Sequence, residues 1–362
     1  MNFITDTINT LCRPALLFTI SCGAFYLVFF KLREKFAEKS TLILAELGMF
    51  AFMAVSMLNP TFRDVVTKPD NIPIVGMLFL VLFFVWLFVH KAVTNDRLIA
   101  AGKDVENKAE AKELTYTWPD LVFSEFICTI VVWCGLLAWS ILLKAPLEEP
   151  ANPVNTPNPS KAPWYFLGLQ EMLVYYDPWL AGVVFPTLIL VGLILIPYID
   201  TNPKGNGYYT FKDRQLAITT FLFGFLILWL LLIVYGTFLR GPNWNFFGPY
   251  EVWDLHKLEF LKNVNLSEYF WQGLGINGGK LPDNPFIREW LGIVLTIAYM
   301  GAGPILLRKT LMKPLFDKLG APRFYITAFL FLSMAALPIK MVLRWMINLK
   351  YIVAMPEFFF NI

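Results

Sequence analysis

Eight apolar runs constrain the fold of this chain more than any other feature of its sequence. Each is close to the length of roughly 20 apolar residues that an α-helix needs to cross a bilayer. Apolar residues make up 57% of the chain and charged residues 16%, whereas soluble domains average about 45–50% and 25%. The sequence therefore predicts an all-α, polytopic membrane bundle of about eight transmembrane helices. The runs lie near Pro14–Phe30, Leu42–Leu58, Ile72–Val89, Leu121–Leu143, Trp179–Ile199, Leu216–Phe238, Trp290–Leu307 and Tyr325–Leu343.

Lysine and arginine are divided unequally between the two predicted sides of the membrane. The loops after the first, third, fifth and seventh runs are rich in these residues, whereas the other loops carry fewer over longer segments. Because basic residues concentrate in cytoplasmic loops, we expect the first set in the cytoplasm. Both termini, and the loop between the fourth and fifth runs, are then expected on the outer side.

A segment rich in proline and asparagine separates the fourth and fifth runs. It contains Glu149-Pro150-Ala151-Asn152-Pro153 and, further on, Lys161-Ala162-Pro163-Trp164-Tyr165-Phe166. Irregular backbone cannot face lipid, because its polar groups would be left without hydrogen-bond partners. We therefore expect this loop to fold against protein at the outer membrane surface.

An ordered series of motifs over about a third of the chain resembles the carboxy-terminal half of cytochrome b. The resemblance is to the form known as subunit IV of quinol:cytochrome c oxidoreductase (bc-type) complexes, and it runs from about Thr117 to Gly236. No single motif is specific, but their order across two spans and a loop is. The motifs are Trp118-Pro119-Asp120, Glu149-Pro150-Ala151-Asn152-Pro153, Trp164-Tyr165-Phe166, Ile196-Pro197-Tyr198 and the span containing Ala217 to Gly224.

The apolar runs, the composition and the resemblance together predict five regions, with extra membrane spans at both ends. They are a three-span amino-terminal module (1–95), a charged cytoplasmic linker (96–116), the cytochrome b-like region (117–238), an outer aromatic-rich loop (239–288) and two carboxy-terminal spans (289–362). We expect the charged segment Asp96–Glu113 to be solvated. The aromatic loop is either a belt at the membrane interface or a surface for a partner, and both alternatives stay open.

The histidine content restricts where haem can be bound. In the family, haem b is held by histidine pairs in the amino-terminal half of cytochrome b. This chain has only His90 and His256, which are expected on opposite faces of the membrane. The resemblance therefore implies that haem b belongs to a partner chain similar to amino-terminal cytochrome b. No metal ligands are assigned here.

The resemblance also implies a quinone-binding segment with one departure. The family motif Pro-Glu-Trp-Tyr supplies a carboxylate that takes a proton from quinol. Here the matching residues are Ala162-Pro163-Trp164-Tyr165, so that Pro163 stands in the position of the carboxylate. The residues expected to contact quinone are Pro163, Trp164, Tyr165, Phe166, Leu169 and Gln170.

Glu171 is the nearest acid that could replace the missing carboxylate. It follows Trp164 by seven residues, which in a helix places it about 20° from the same face. An apolar setting disfavours the charged form of a carboxyl group, so that we expect Glu171 to accept the proton as the catalytic base. In the alternative, Glu171 is hydrogen-bonded at the interface and exchanges no proton.

Other charged residues are expected to have simpler roles. Asp177 and the loop acids Glu148 and Glu149 solvate their segments. Glu46 and Glu125 lie inside spans and are expected to reach the interface with their carboxylates. Lys340 and Arg344 belong to the last span and are expected to anchor it.

The favoured interpretation is a membrane subunit of a bc-type quinol:cytochrome c (or other acceptor) oxidoreductase, not active alone, in a bacterial-type inner (energy-transducing) membrane. It would form part of the outer quinol-oxidation site in a Q cycle. The implied partners are the haem-carrying chain, an iron–sulfur and/or cytochrome c subunit, membrane lipid and a second copy of the complex; no nucleic acid is expected.

Pro163 favours the alternative, a quinone-binding or structural anchor of another respiratory complex without its own proton exit. A transporter would predict two similar halves, which the sequence lacks.

Overall fold

A computed structural model describes residues 2–105, 114–143, 145, 150–202 and 209–362 of the protein. Its architecture is helical, with two very short strands near the carboxy terminus. The helices in chain order are α1 (Asn2–Leu11), α2 (Pro14–Lys31), α3 (Arg33–Phe36), α4 (Lys39–Ser56), α5 (Pro60–Val66), α6 (Ile72–Ala100), α7 (Thr117–Leu142), α8 (Trp164–Met172), α9 (Leu180–Ile199), α10 (Lys212–Leu239), α11 (Leu266–Glu268), α12 (Pro285–Arg288), α13 (Trp290–Lys309), α14 (Lys313–Leu319) and α15 (Ala321–Ile347).

The described residues contain eight helices long and apolar enough to cross a membrane: α2, α4, α6, α7, α9, α10, α13 and α15. This confirms the prediction of a multi-pass helical bundle. Most bounds agree with the predicted runs to within a few residues. The exception is α6, which continues beyond Val89 to Ala100 because its polar last turns pack against protein.

Short helices and turns connect the spans at the membrane surfaces. Asn59 caps α5 by accepting a hydrogen bond from the Phe62 amide at 3.2 Å, with Pro60 in the first turn. Asn284 caps α12 in the same way. Asn caps and first-turn prolines satisfy or remove amide groups that a helix start leaves free. The strands β1 (Ala354–Met355) and β2 (Phe360–Asn361) pair antiparallel.

The central helix of the bundle is α10. Its buried second half, including Leu232 and Tyr235, packs against Phe18 of α2 and Met341 of α15. The Tyr235 hydroxyl donates a hydrogen bond to the Pro14 carbonyl at 2.9 Å. The amino-terminal spans therefore share a core with the region that follows them.

A second core lies at the other end of α10. Here Phe29 of α2 and Val89 of α6 pack around Phe211 and Leu222. Asp96 is buried at this end and accepts hydrogen bonds from the backbone amides of Phe211 and Lys212 at 3.2 Å. The expectation that Asp96 is solvated was therefore wrong, because its carboxylate supplies acceptors to the chain entering α10. Residues 106–113 of the predicted linker lie outside the described residues.

Two ion pairs each join segments that the charge distribution predicts on the same side of the membrane. Arg97 pairs with Glu34 at 2.5 Å within one set, and Arg288 pairs with Glu357 at 3.1 Å within the other. Which set faces the cytoplasm remains a prediction. The α7 span differs from the rest, since none of its residues is buried against the described part of the chain.

Candidate functional site

A side-chain amide fixes the segment that leads into α8. Gln170 accepts a hydrogen bond from the Ala162 amide at 2.8 Å and donates one to the Ser160 carbonyl at 2.9 Å. Both bonds reach back from the second turn of α8 to the residues before Pro163, which precedes the first helical residue. Gln170, expected to contact quinone, is therefore engaged in holding the loop.

Two glycines allow α8 to lie directly on α10. A Cβ atom on Gly168 would stand 3.3 Å from the Trp229 carbonyl oxygen, and one on Gly236 would stand 3.1 Å from the Leu167 carbonyl oxygen. Both distances are tighter than ordinary van der Waals contact, so the backbones approach more closely than side chains would permit. The helix that carries the candidate site is thereby held rigidly against the buried part of α10.

The two faces of α8 have different environments. Leu167 and Glu171 are buried, whereas Tyr165 and Phe166 are 48% and 50% exposed. Trp164 is half-buried at the edge and contacts Tyr165 edge-on, with ring centres 5.7 Å apart. The structure therefore brings the rings of Trp164, Tyr165 and Phe166 together at the start of α8, with Tyr165 and Phe166 exposed and Glu171 buried. Leu169 is half-buried.

Glu171 lies in a buried ion pair. Arg240, at the end of α10, donates from Nε to Oε2 at 2.9 Å and from Nη2 to Oε1 at 2.7 Å. The indole of Trp244 donates to Oε2 at 3.1 Å, and the Tyr175 hydroxyl lies 3.5 Å from Oε1. The Glu171 side chain is 0% exposed and that of Arg240 11%. Such a forked pair adds directional hydrogen bonds to charge attraction.

The electrostatics of Arg240 agree with a charged pair. Burial opposes its positive charge, but the adjoining Glu171 carboxylate outweighs that effect, and the pKa of Arg240 is raised above its ordinary value. Burial also raises the pKa of the neighbouring Tyr175 well above the ordinary range. The apolar setting expected around Glu171 is therefore absent: its surroundings are those of a carboxylate with three strong donors.

The segment after α10 covers this ion pair. Arg240 also donates to the Trp244 carbonyl at 3.1 Å, which closes the turn around the guanidinium. The backbone amide of Asn243 donates to Asn158 at 2.7 Å, and the side-chain amide of Asn158 donates back to Asn243 at 2.9 Å. This joins the aromatic-rich loop to the segment before α8, so that the cover and the site form one unit.

Lys161 is a further charged residue beside the site, and it is half-buried. Its ammonium donates to the Thr237 carbonyl at 2.9 Å and lies 4.8 Å from the centre of the Trp253 ring. Its pKa is lowered to about 7, chiefly by burial and then by the nearby Lys68, against the opposing effects of Asp70 and Glu171. Lys161 is thus a group outside the spans that changes charge near neutral pH.

Sequence reasoning did not identify Arg240, Trp244 or Lys161 as site residues. Arg240 and Trp244 belong to the aromatic-rich loop 239–288, for which the sequence leaves open a membrane-interface belt and a partner surface. A usable signal existed for the arginine, since it follows an apolar span directly and precedes Gly241-Pro242. A charge placed there, between a span and a rigid turn, is held close to the membrane surface and needs a partner.

The remaining charged candidates differ in how far their side chains are buried. Lys340 is 1% exposed and donates to the Ile362 carbonyl at 3.1 Å, and Arg344 donates to Lys262 and Asn263. The expectation that these two residues are ordinary anchors was wrong, because both are buried and join α15 to the chain around it.

The acids Glu46 and Asp177 are half-buried and Glu125 is exposed. Glu148 and Glu149 lie outside the described residues.

The two histidines have separate surroundings. The His90 ring contacts the Ala37 carbonyl at 2.7 Å and stacks on Trp86. His256 is an exposed residue beside Asp254 in the aromatic-rich loop. Within the described ranges, no group of three or more His, Cys, Asp or Glu residues is arranged to hold a metal ion.

A family model described as "Cytochrome b(C-terminal)/b6/petD" matches residues 150–250. The matched stretch contains α8, α9 and α10, the Glu171–Arg240 pair and the turn that covers it. It leaves α1 to α7 and α11 to α15 outside. No solved structure matches the chain.

Proposed function

Residues 150–250 form a carboxy-terminal cytochrome b domain of the subunit IV type, and on this premise we propose that the chain is a membrane subunit of a bc-type quinol oxidoreductase complex. Within that complex, the segment Ser160–Phe166 and the exposed face of α8 form one wall of the outer quinol-oxidation site. The family match supports membership of a bc- or b6f-type complex. The role at the outer site is our inference from the geometry.

One observation carries the proposal of a quinol wall. Trp164, Tyr165 and Phe166 are presented together at the start of a helix that the Gly168 and Gly236 contacts hold against α10. The ring centres of Tyr165 and Phe166 are 4.6 Å apart. Rigid, largely apolar walls with a few fixed polar groups are typical of cofactor and ligand sites. A planar quinol ring suits such a surface, with Pro163 and Leu169 at its borders.

The proton that leaves quinol would be taken up by Glu171 in this proposal. Because Glu171 is paired with Arg240, protonation would remove the attraction that holds the two side chains together. Arg240 would then keep its hydrogen bond to the Trp244 carbonyl and a weaker hydrogen bond to the oxygen of Glu171 that carries no proton. Proton uptake would therefore be accompanied by a displacement of Arg240 or of the turn that covers it.

The other components belong to partner chains. A chain similar to amino-terminal cytochrome b would hold haem b, and an iron–sulfur and/or cytochrome c subunit would accept the first electron from quinol. The second electron would pass through the haems to the inner face, as in a Q cycle. The complex would be dimeric and lie in an energy-transducing membrane of the bacterial type.

A second function is favoured by a specific observation. Pro163 occupies the position of the family carboxylate, and the nearest acid is already bound to Arg240. Both features suit a quinone-binding or structural anchor of another respiratory complex. In that case the Glu171–Arg240 pair would only fix the end of α10 to α8.

Quinol:cytochrome c reductase activity of the assembled complex separates the two roles of Glu171. Glu171→Gln alone would leave Arg240 buried without its partner, at a cost of about 3–5 kcal/mol. The double variant Glu171→Gln/Arg240→Gln removes both charges and avoids that cost. If Glu171 takes the proton, the double variant assembles but turns over at least about ten-fold more slowly, roughly 1.4 kcal/mol of barrier.

The control is a buried glutamate away from α8. Glu289 is 1% exposed, pairs with Arg288 at 3.3 Å and accepts a hydrogen bond from the Ala354 amide. Glu289→Gln is expected to leave turnover per assembled complex unchanged. Full turnover of the double variant at Glu171 and Arg240 would overturn the proton-accepting role and leave the pair as a structural contact.

A further inference from the structure

A basic segment joins the last two spans, outside the residues that the cytochrome b family model matches. It runs from the end of α13, through α14, to the start of α15, and the structure describes every residue of it. We refer to residues 308–323 as the α13–α15 segment. Five of its side chains are basic, and Asp317 is its single acid. The basic residues are Arg308, Lys309, Lys313, Lys318 and Arg323.

The five cations of this segment are not neutralised by the chain. All five are exposed, and none has an ion-pair partner in the part of the chain that the structure describes. Elsewhere, by contrast, Arg97 pairs with Glu34 and Arg214 pairs with Asp200. Because neighbouring like charges repel each other, a group of unpaired cations favours a ligand of opposite charge.

Apolar and aromatic contacts hold the segment in shape. Met312 is buried and packs with Phe324 of α15, whose ring meets that of Phe316 edge-on at 5.3 Å. The Arg308 guanidinium lies over the Phe316 ring, with Cζ 4.0 Å from the ring centre, and donates to the Tyr325 hydroxyl at 3.2 Å. These contacts join the end of α13, α14 and the start of α15, and so bring their basic residues to one end of the α13–α15 helix pair.

Exposed apolar side chains accompany the cations. Ile305 and Leu306, near the end of α13, are 47% and 60% exposed, and Leu311, between α13 and α14, is 84% exposed. Free phosphate would leave these side chains uncovered, whereas the acyl chain of a lipid would cover them. The segment connects two spans and therefore lies at the membrane surface, where lipid head groups are found.

We propose that the α13–α15 segment binds an anionic phospholipid, with the phosphate at its basic side chains and an acyl chain along Ile305 and Leu306. Clusters of about four to eight basic residues beside a membrane helix are typical of binding to anionic lipids. A guanidinium can donate to two oxygens of one phosphate, and the contact with the Phe316 ring orients that of Arg308 in advance. The site is separate from α8 and does not depend on quinol oxidation.

The test compares two photoactivatable lipids that carry the same reactive acyl chain, phosphatidylglycerol and phosphatidylcholine. Each is added in trace amount to phosphatidylcholine bilayers that hold the intact complex, and labelled peptides are identified by mass spectrometry. We expect phosphatidylglycerol to label residues 303–325 at least about five-fold more strongly than phosphatidylcholine. The triple variant Lys309→Gln/Lys313→Gln/Lys318→Gln should lower this ratio to less than about two. It keeps Arg308 and Arg323 at the span ends, where basic residues set the orientation.

The matched control removes three exposed lysines from the connection between α2 and α4 and keeps Arg33. It is Lys31→Gln/Lys35→Gln/Lys39→Gln, and these positions are predicted on the same side of the membrane as the α13–α15 segment. Because the control changes the total charge equally, it should leave the labelling ratio of residues 303–325 unchanged.

Three results would overturn the proposal. Equal labelling by the two lipids would mean that the charges only orient the spans. A ratio that persists undiminished in the triple variant would place the lipid elsewhere. Chemical cross-linking of the segment to an acidic stretch of another subunit, with no phosphatidylglycerol label, would assign the cations to that subunit.

Discussion

At the scale of single residues, the site is built from charges that the sequence separates widely. Glu171 and Arg240 are 69 positions apart, and Asp96 lies 115 positions from the Phe211 amide it binds. Glu171 and Asp96 are buried, Arg240 is largely buried, and each is satisfied by a partner from a distant part of the chain. Buried charges without a partner are costly, so that such pairs specify how the helices meet.

Lys161 leads to a prediction about pH. Its pKa is lowered to about 7, chiefly by burial and then by Lys68, against the effects of Asp70 and Glu171. An unfolded chain keeps this proton up to about pH 10.4, so between the two values the unfolded state binds more protons. Folding is therefore favoured as pH rises above about 7, by at most roughly 1.4 kcal/mol per pH unit.

The measurement is thermal unfolding of the solubilised protein at pH 7 and pH 9. Relative to Lys161→Met, the natural chain is expected to gain stability over this interval. Lys280 is exposed, and Lys280→Met serves as the control with no such change. Parallel curves for the natural chain and Lys161→Met would show that Lys161 does not titrate in this range.

Some residues of the site could be predicted from the sequence, whereas their distant partners could not. Sequence reasoning predicted Trp164, Tyr165 and Phe166 as quinone contacts, and this stays a prediction; the structure places the three rings side by side at the start of α8. It predicted buried Lys340 and Arg344 as anchors, because hydropathy records the length of a span and not which side of it meets protein. A pairing partner such as Arg240 could not be deduced, since nothing in a local pattern fixes which loop returns to cover α8.

At the scale of elements, the contact of α8 with α10 depends on the absence of two side chains. Gly168→Val is expected to push α8 from the Trp229 carbonyl and to lower both assembly and quinol oxidation. Gly182, at the start of α9, has no atom within 4 Å of a Cβ position, and Gly182→Val should have little effect. Complex yield and turnover of the two variants give the comparison.

Equal behaviour of the two glycine variants would contradict a tight α8–α10 contact. The contact between α8 and α10, on which this prediction rests, could not be deduced from hydropathy. The eight spans follow from the apolar runs, and their existence was predicted correctly. The short helix α8 was assumed for the placement of Glu171, but its contact surface depends on two glycines in different elements. Close approach of backbones is a property of a pair of helices.

At the scale of the whole molecule, the amino-terminal spans are part of the bundle. Phe18 packs in the core around Tyr235, and Phe29 and Val89 pack in the core around Phe211. Residues 1–95 were expected to form an added module. The structure shows shared cores at both ends of α10, which the sequence could not reveal because the packing partners are far apart in the chain.

Removal of the amino-terminal residues is therefore expected to destabilise the remainder. A chain that begins at residue 114 would expose Tyr235 and Phe211, and we expect it to be degraded when expressed alone. Co-expression of residues 1–105 as a separate chain should restore its level, because buried contacts rather than chain continuity join the two parts. Normal accumulation of the short chain by itself would show that the amino-terminal spans are dispensable for folding.

The exposed span α7 has a consequence for how this protein is made. No residue of α7 is buried against the described chain, so its rotation about its own axis is set by its neighbours in the bilayer. The segment that leads to Pro163 starts after this span. A neighbouring subunit that packs against α7 would also fix where that segment begins. The quinol wall would then be completed only when the complex assembles, after the chain has been inserted into the membrane.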